Sequence, residues 1–337
     1  MRIGSVGIIA NPASGKDIRR LVAHGSVFDN NEKINIVRRV LLGLAATGVE
    51  TVWYMPDVYG IVSRAVAQAT PQCNVRPLPM PVLNDAGDSI EAARRLADLG
   101  AACIVTLGGD GTNRAVARGC GDVPLVPIST GTNNVFPRMI EGTIAGLAAG
   151  LVATGQVDGE QVIRRLPRLD VALDGVHRDI ALIDVVTSRH AWIGARALWD
   201  PSHIREIVLS RVAPAEIGMC GLGGILFPEA TGSAQGVHIV VGESTRTVLA
   251  PVAPGLIKPI PVASARLLPL GETVTIGETI GTVALDGERE LEVLPPGGEI
   301  AVTLSASGPR VVDVEATIRF GAAAGAFARL GAIPTGA

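Results

Sequence analysis

The chain has 337 residues, of which 47% are hydrophobic, so it is long enough for two domains that each bury a core. Its 29 basic and 32 acidic residues give a formal net charge of −3, which provides no electrostatic attraction for nucleic acid or an anionic membrane. Aromatic residues make up only 3%, too few for base-stacking platforms. We therefore expect neither a nucleic acid nor a membrane as partner.

The first half of the chain alternates apolar runs with amphipathic segments, which is typical of a parallel sheet covered by helices. Strands are predicted at residues 6–10, 51–55 and 102–107, and helices at residues 34–46 and 89–99. The first apolar run leads directly into Asn11 without a cleavage region of small residues, so it predicts a strand rather than a signal peptide.

Helix ends are predicted from residue types with known capping roles. Asp88, followed by Glu91, resembles a capping box at the start of the helix at residues 89–99. Gly48 follows the first predicted helix and is suited to a left-handed C-terminal cap, and Gly100 is predicted to terminate the second helix.

The second half is rich in short β-type runs between Gly and Pro, which predicts a β-rich domain. Such runs occupy residues 237–241, 273–276, 282–285 and 300–304, and residues 321–330 are predicted to form a closing helix. We expect an α/β domain with a parallel sheet at residues 1–156, a β-rich substrate domain at 157–318 and a C-terminal segment at 319–337 that packs back on the body.

The four cysteines are scattered without the paired spacing of a zinc site or a disulfide framework. The five histidines also lack ligand spacing, so no zinc-type site is predicted. Scattered, unpaired cysteines are typical of reduced thiols, and we expect a cytoplasmic protein. The longest weakly polar stretch, residues 142–155, is shorter than the roughly 20 residues that span a bilayer.

A glycine cluster follows the strand at residues 102–107 and consists of Gly108, Gly109, Asp110, Gly111 and Thr112. Glycines at a strand-to-helix turn allow backbone N–H groups and a helix N-terminus to face phosphate oxygens. A carboxylate repels phosphate, so Asp110 is predicted to act as a general base for a hydroxyl or as a magnesium contact. The alternative is a tight turn in which Asp110 only caps the next helix.

Two further loops follow apolar runs that predict strands, the first after residues 6–10 and the second after residues 125–128. The first contains Asn11 and Ser14, and the second contains the run Gly131, Thr132, Asn133 and Asn134. Loops after the strands of a doubly wound sheet collect at one edge, where ligands bind, so the three loops are predicted to share one crevice. The first loop is not a Walker loop, because Ala10 and Asp17 replace its first glycine and its final Ser or Thr.

In this order, the three loops resemble the core of the ATP-NAD kinase and diacylglycerol kinase superfamily. Residues 181–186, Ala-Leu-Ile-Asp-Val-Val, are similar to the Ala-Leu-Asn-Glu/Asp-Val-Val segment of NAD kinases, and residues 231–234, Thr-Gly-Ser-Ala, to their Thr-Gly-Ser-Thr-Ala segment. Residues 251–254 and 258–260 are faintly similar to the later Ala-Pro-His-Ser-Leu and Arg-Pro-Ile stretch. The resemblance covers most of the chain.

The resemblance implies an ATP-dependent, magnesium-requiring phosphotransferase in which Asp110 activates the acceptor hydroxyl, with NAD or a related nucleotide as acceptor. It implies that the first and third loops hold nucleotide or phosphate, and that Asp184 lines the dinucleotide site together with Thr231, Gly232 and Ser233. Asp286 and Glu288 are similar to the acidic residues that assist the base or the metal in lipid kinases; a simple hairpin turn is the alternative. We also expect a homo-oligomer.

Two departures mark a particular branch of the superfamily. Ile183 stands where NAD kinases carry an Asn, so a hydrogen-bonding group expected to contact the dinucleotide is missing. A buried polar group left without its hydrogen-bond partner costs about 1–3 kcal/mol. Arg114-Ala115 stands where lipid kinases carry Asn-Glu. This mixture is most similar to the acetoin-catabolism protein X branch. A lipid or small-alcohol kinase and a non-catalytic nucleotide-binding homologue stay open as alternatives.

Overall fold

The computed structural model describes residues 4–14, 29–131, 133–188 and 203–329. In this part of the chain, the strands form one seven-stranded sheet and one nine-stranded sheet. The α/β N-terminal half with its parallel sheet and the β-rich C-terminal half confirm the predicted fold class.

The seven-stranded sheet has the order β3-β2-β1-β4-β5-β16-β6. Its strands are β1 (Val6–Ala10), β2 (Thr51–Tyr54), β3 (Asn74–Pro77), β4 (Cys103–Gly108), β5 (Leu125–Ser129), β6 (Ile163–Arg165) and β16 (Arg310–Val312). The strands β1 to β5 pair in parallel, and β1, β4 and β5 are buried along their whole length. Continuous apolar runs are typical of such strands, because helices cover both faces of the sheet.

Helices connect and cover these strands. They are α1 (Asn30–Ala46), α2 (Ile61–Ala69), α3 (Ala86–Asp98), α4 (Asp110–Ala117), α5 (Gly142–Ala153) and the short α6 (Gly159–Val162). A Cβ at Gly146 of α5 would lie 2.3 Å from the carbonyl oxygen of Val40 of α1, so the backbones of these two helices are in contact.

The predicted capping box is wrong. The helix α3 begins at Ala86, and Asp85 is its N-cap, with a side chain that accepts from the N–H of Gly87. Asp88 lies in the first turn, where its carboxylate accepts from the N–H groups of Leu83 (2.9 Å) and Asn84 (2.7 Å). The Asp88 carboxylate is therefore hydrogen-bonded to the loop before α3, and the helix starts about one turn earlier than predicted. The left-handed conformation predicted at Gly48 is confirmed (φ +86°), and Gly100, which follows the end of α3, is also left-handed (φ +68°).

The nine-stranded sheet has the order β12-β13-β11-β10-β9-β14-β15-β7-β8, and its neighbouring strands are antiparallel. Its strands are β7 (Arg168–Leu173), β8 (Val176–Ala181), β9 (Asp184–Ser188), β10 (Ile204–Leu209), β11 (Gly236–Val241), β12 (Thr247–Ala253), β13 (Leu256–Leu268), β14 (Thr273–Leu285) and β15 (Glu288–Ser305). The strands predicted at residues 273–276 and 282–285 are parts of one strand, β14. The pairing of β14 with β15 is irregular around Thr279, and the strand continues through residues 277–281.

Three further helices are α7 (Met219–Leu226), α8 (Val314–Ala323) and α9 (Ala326–Arg329). The closing helix predicted at residues 321–330 is instead two helices, because Gly325 has a φ of +71° between them; Leu330 lies outside the described residues. The strands β6 and β16 from beyond residue 156 join the first sheet, so the chain crosses between the two halves and returns. The domain limits at 156 and 318 stay predictions. No helix in the described ranges is long and apolar enough to cross a membrane.

Candidate functional site

Asp110 lies where the parallel sheet ends, in the first turn of α4. Its Oδ1 accepts from the N–H of Phe136 at 2.7 Å, and both carboxylate oxygens lie 3.1 Å from the N–H of Val135. A carboxylate that accepts from backbone N–H groups is held in a fixed orientation. Asp110 therefore does not act as the N-cap of α4, a position that Gly109 occupies.

Three loops, including the glycine cluster that contains Asp110, are joined by hydrogen bonds. Asn11 donates from Nδ2 to Thr112 Oγ1 at 2.9 Å, and Ser14 Oγ lies 3.0 Å from Thr130 Oγ1. Asn134 donates from Nδ2 to Ser129 Oγ at 2.8 Å and to the carbonyl oxygen of Gly131 at 3.2 Å. Side-chain hydrogen bonds thus join the predicted phosphate loops to one another.

The glycines of the cluster have different neighbours. A Cβ at Gly108 would lie 2.5 Å from Thr112 Cβ, and one at Gly109 would lie 2.6 Å from Asn134 Oδ1. Gly108 therefore leaves room for Thr112 of the same cluster, and Gly109 leaves room for Asn134 of the third loop. At Gly111 the nearest atom would be Glu288 Oε1 at 3.4 Å, so Glu288, from the second sheet, lies over this glycine.

A cleft between the two sheets opens beside Asp110. It has a volume of about 40 Å³, enough for a few water molecules. Its polar lining residues are Asp110, Asn133, Asp184 and Asp286, and its apolar side chains are Val135, Ile183, Val186, Ile217, Met219 and Val252. The described lining of the cleft therefore combines three carboxylates with an apolar wall.

Asp286 lies at the turn between β14 and β15. It has a φ of +52° and Gly287 a φ of +77°, so a hairpin turn is present at this site. The side chain adds a second role, since Asp286 Oδ1 accepts from the N–H groups of Leu182 (2.9 Å), Ile183 (2.7 Å) and Asp184 (3.3 Å). Asp286 thus fixes the loop that brings Asp184 into the cleft.

The buried guanidinium of Arg114 lies near the Asp286 carboxylate and opposes its negative charge. Arg114 Nη1 lies 3.0 Å from Asp179 Oδ2, and Arg114 Nε lies 3.7 Å from Asp286 Oδ2. Burial raises the pKa of Asp286, whereas Arg114 and the backbone N–H groups of Leu182 and Ile183 lower it. Arg114 thereby joins α4 to the second sheet through two carboxylates.

The carboxylates around the cleft fit a magnesium ion only in part. Mg²⁺ is commonly held by one or two protein carboxylates together with substrate phosphates. Glu288 lies over the glycine cluster, which suits such a role, but Asp286 already accepts from three backbone N–H groups. Within the described residues there is no group of three or more His, Cys, Asp or Glu side chains arranged to hold a metal.

Three other predicted site residues lie away from the cleft lining. Thr231, Gly232 and Ser233 are exposed in a turn after a 3-10 helix (Pro228–Ala230) and are not among the residues that line the cleft. Thr132 lies outside the described residues. The ligand-binding roles of all these residues stay predictions.

Two charged residues near the site were not predicted. Arg211 lies over the ring of Phe136, 5.3 Å from its centroid, and among the described residues its Nε and Nη2 have no hydrogen-bond partner. Burial lowers the pKa of Arg211, while nearby Cys220, Asp110 and Asp286 raise it. Lys33 is completely buried beneath the first loop. Neither lies in a motif, and only the folded chain places them here.

Comparisons with known proteins agree with this architecture. Residues 6–157 match the family model of the ATP-NAD kinase N-terminal domain, and residues 167–307 match that of the acetoin catabolism protein X C-terminal domain. The chain is 42% identical over 328 residues to acetoin catabolism protein X of Cupriavidus necator, covering 93% of this chain and 91% of that protein.

Among solved structures, UDP-GlcNAc 2-epimerase from Neisseria meningitidis is similar at 13% identity and a TM-score of 0.26, covering 44% of this chain and 38% of that chain. That likeness is too low to indicate a shared fold. The two family matches and the extensive identity over almost the whole length lead to one assignment: the chain belongs to the acetoin catabolism protein X family, whose N-terminal domain is of the ATP-NAD kinase type.

Proposed function

We propose that this chain is a cytoplasmic ATP-dependent phosphotransferase that moves a phosphoryl group to a hydroxyl of NAD or of a related nucleotide. The observation that carries this proposal is the position of Asp110. Its carboxylate lines the cleft and is oriented by the N–H groups of Val135 and Phe136, and Asp110 belongs to one of three glycine- and hydroxyl-rich loops that hydrogen bonds join. The kinase-type N-terminal domain supports the same conclusion.

In this mechanism the protein positions groups and stabilises charge, since phosphoryl transfer needs little covalent help. Asp110 accepts the proton of the acceptor hydroxyl while the oxygen of that hydroxyl bonds to the γ-phosphorus; the bond from the γ-phosphorus to the β–γ bridging oxygen breaks, and ADP leaves. Loops around Asn11, Gly108 and Gly131 hold the phosphates of ATP, with the N-terminus of α4 pointing at them. Asp184 orients the acceptor.

Magnesium bound with ATP would neutralise phosphate charge at this site. Glu288 and Asp286 are the proposed ligands. Glu288 is the better placed of the two because it lies over Gly111, whereas Asp286 is occupied by backbone N–H groups.

A small alcohol is a second candidate acceptor. Ile183 stands in the cleft next to Val186, Ile217, Met219 and Val252, so the wall offers apolar contacts where a dinucleotide would need polar ones. The relative from Cupriavidus necator is named for acetoin catabolism, and acetoin is a small hydroxyketone. We therefore place small alcohols beside nucleotides among the acceptors to be tested.

The test is transfer of label from γ-labelled ATP with Mg²⁺ to a panel of NAD, other adenine nucleotides, acetoin, glycerol and diacylglycerol. We expect transfer to one acceptor class, and Asp110→Asn should reduce its rate by roughly 10²–10⁴-fold without unfolding the protein. The control is Asp98→Asn, which changes an exposed carboxylate at the end of α3. If Asp110→Asn turned over as fast as the wild type, Asp110 would not be part of the mechanism. ATP binding without transfer to any acceptor would instead support a non-catalytic nucleotide-binding protein.

A further inference from the structure

Lys33 is a lysine in the first turns of α1 whose side chain is completely shielded from solvent (0% exposed). Its Nζ lies 3.0 Å from the carbonyl oxygen of Asn11, 3.2 Å from that of Pro12 and 2.7 Å from that of Ser14. The side-chain oxygen of Asn30 lies 3.2 Å away. Three backbone carbonyls of the first phosphate loop therefore point inward at one ammonium group.

Burial of a lysine is costly unless its charge is compensated, and lysines are rarely buried without partners. Four oxygen atoms around Nζ supply acceptors for all three of its N–H donors. This coordination favours the charged form. A positive charge is therefore held against the backbone of the loop, while the side chains of Asn11 and Ser14 contact the other two loops.

The same loop connects to the rest of the candidate site. Asn11 donates to Thr112 of the glycine cluster, and Ser14 contacts Thr130 of the third loop. A change in the backbone conformation at residues 11–14 would therefore displace both contacts. The position of Lys33 thus affects the geometry of all three loops without Lys33 being in the cleft.

We propose that Lys33 is a positioning residue of the phosphate site: it fixes the conformation of residues 11–14 and adds positive charge behind them that favours a polyphosphate. This inference rests on the proposed function for the identity of the ligand, but the effect on the loop does not depend on it. A lysine that merely stabilised the core would lower overall stability without a selective effect on the loop or on ATP.

The experiment compares Lys33→Met with the full-length wild-type chain. Methionine keeps a long side chain and removes the charge and the N–H donors. Hydrogen–deuterium exchange should rise at residues 11–14 more than in β1, and the dissociation constant for ATP with Mg²⁺ should increase about tenfold or more. The matched control is Lys258→Met, which changes an exposed lysine of β13 and should leave both readouts unchanged.

The two readouts separate this inference from the proposed function. If the wild-type chain binds no ATP, the proposed function fails, while loop exchange still tests the role of Lys33. Unchanged exchange at residues 11–14 in Lys33→Met would overturn the inference. If that variant does not fold, Lys33→Arg replaces it: the planar guanidinium keeps the charge but cannot direct N–H groups at all four oxygens, so loop exchange should still rise. Wild-type exchange in Lys33→Arg would then overturn the inference.

Discussion

At the scale of single residues, Asp286 combines burial with an unusual number of hydrogen bonds. The carboxylate is surrounded by protein, which favours its neutral form, whereas three backbone N–H groups and Arg114 favour its charged form. Burial prevails, so the pKa of Asp286 in the folded protein is above its ordinary value of 3.8. The folded chain therefore binds this proton more tightly than the unfolded chain does.

The sign of the pH dependence follows from this shift. Since the folded state binds the proton more tightly, Asp286 stabilises the fold most below about pH 3.8, and this contribution is lost as the pH rises through the folded-state pKa. Asp286→Asn should thus destabilise the protein more at low pH than at neutral pH, in urea unfolding measured across that range. The exposed Asp122, whose pKa Arg165 lowers through a hydrogen bond, should give the opposite trend in Asp122→Asn. A penalty for Asp286→Asn that grows with pH would contradict the prediction.

At the scale of elements, α1 and α5 pack with their backbones in contact. A Cβ at Gly43 of α1 would lie 2.6 Å from the carbonyl oxygen of Thr143, and one at Gly146 would lie 2.3 Å from that of Val40. Glycine on both helices allows the backbones to touch. Lys33 lies in the first turn of α1, so the packing of this helix also positions the lysine that contacts the first loop.

Gly146→Ala tests this helix contact. Alanine favours a helix over glycine by about 1 kcal/mol, but overpacking a backbone contact costs about 1–3 kcal/mol. We expect a net loss of about 1–2 kcal/mol in the free energy of unfolding, measured with urea. Ile144→Ala, at an exposed position of the same helix, should stay within about 0.5 kcal/mol of the wild type. A more stable Gly146→Ala variant would show that the helices can separate without cost.

At the scale of the whole molecule, the reactivity of the cysteine thiols shows whether the hydrophobic cores of the two halves become accessible to solvent. Burial raises the pKa of Cys103 and of Cys220 to about 12 and that of Cys120 to about 11. Cys73 is only half-buried, and burial raises its pKa as well. The thiolate is the reactive form, so burial protects the first three cysteines both sterically and chemically.

With a thiol reagent near pH 8, we expect Cys73 to react first in the native protein and the other three cysteines only on unfolding. Cys73→Ser should remove the faster phase and leave the slow one. ATP with Mg²⁺ should slow the remaining reaction, because a ligand that binds the folded state suppresses its opening. Rapid reaction of more than one thiol in the native wild type would show that a core is open to solvent.

The sequence by itself determined the buried strands β1, β4 and β5, the left-handed glycines and the order of the three loops, because apolar runs and glycines express local backbone preferences. The sequence also identified the family, because the motifs of that family lie in those loops. Only the tertiary structure decided the rest. Asp88, predicted as part of a cap, accepts hydrogen bonds from the preceding loop. Lys33 of α1 is buried and donates to the first loop. Arg114 pairs with Asp179, which is 65 positions away in the sequence. Such partners are chosen by long-range packing, and a local pattern contains no information about which distant atoms will lie within hydrogen-bonding distance.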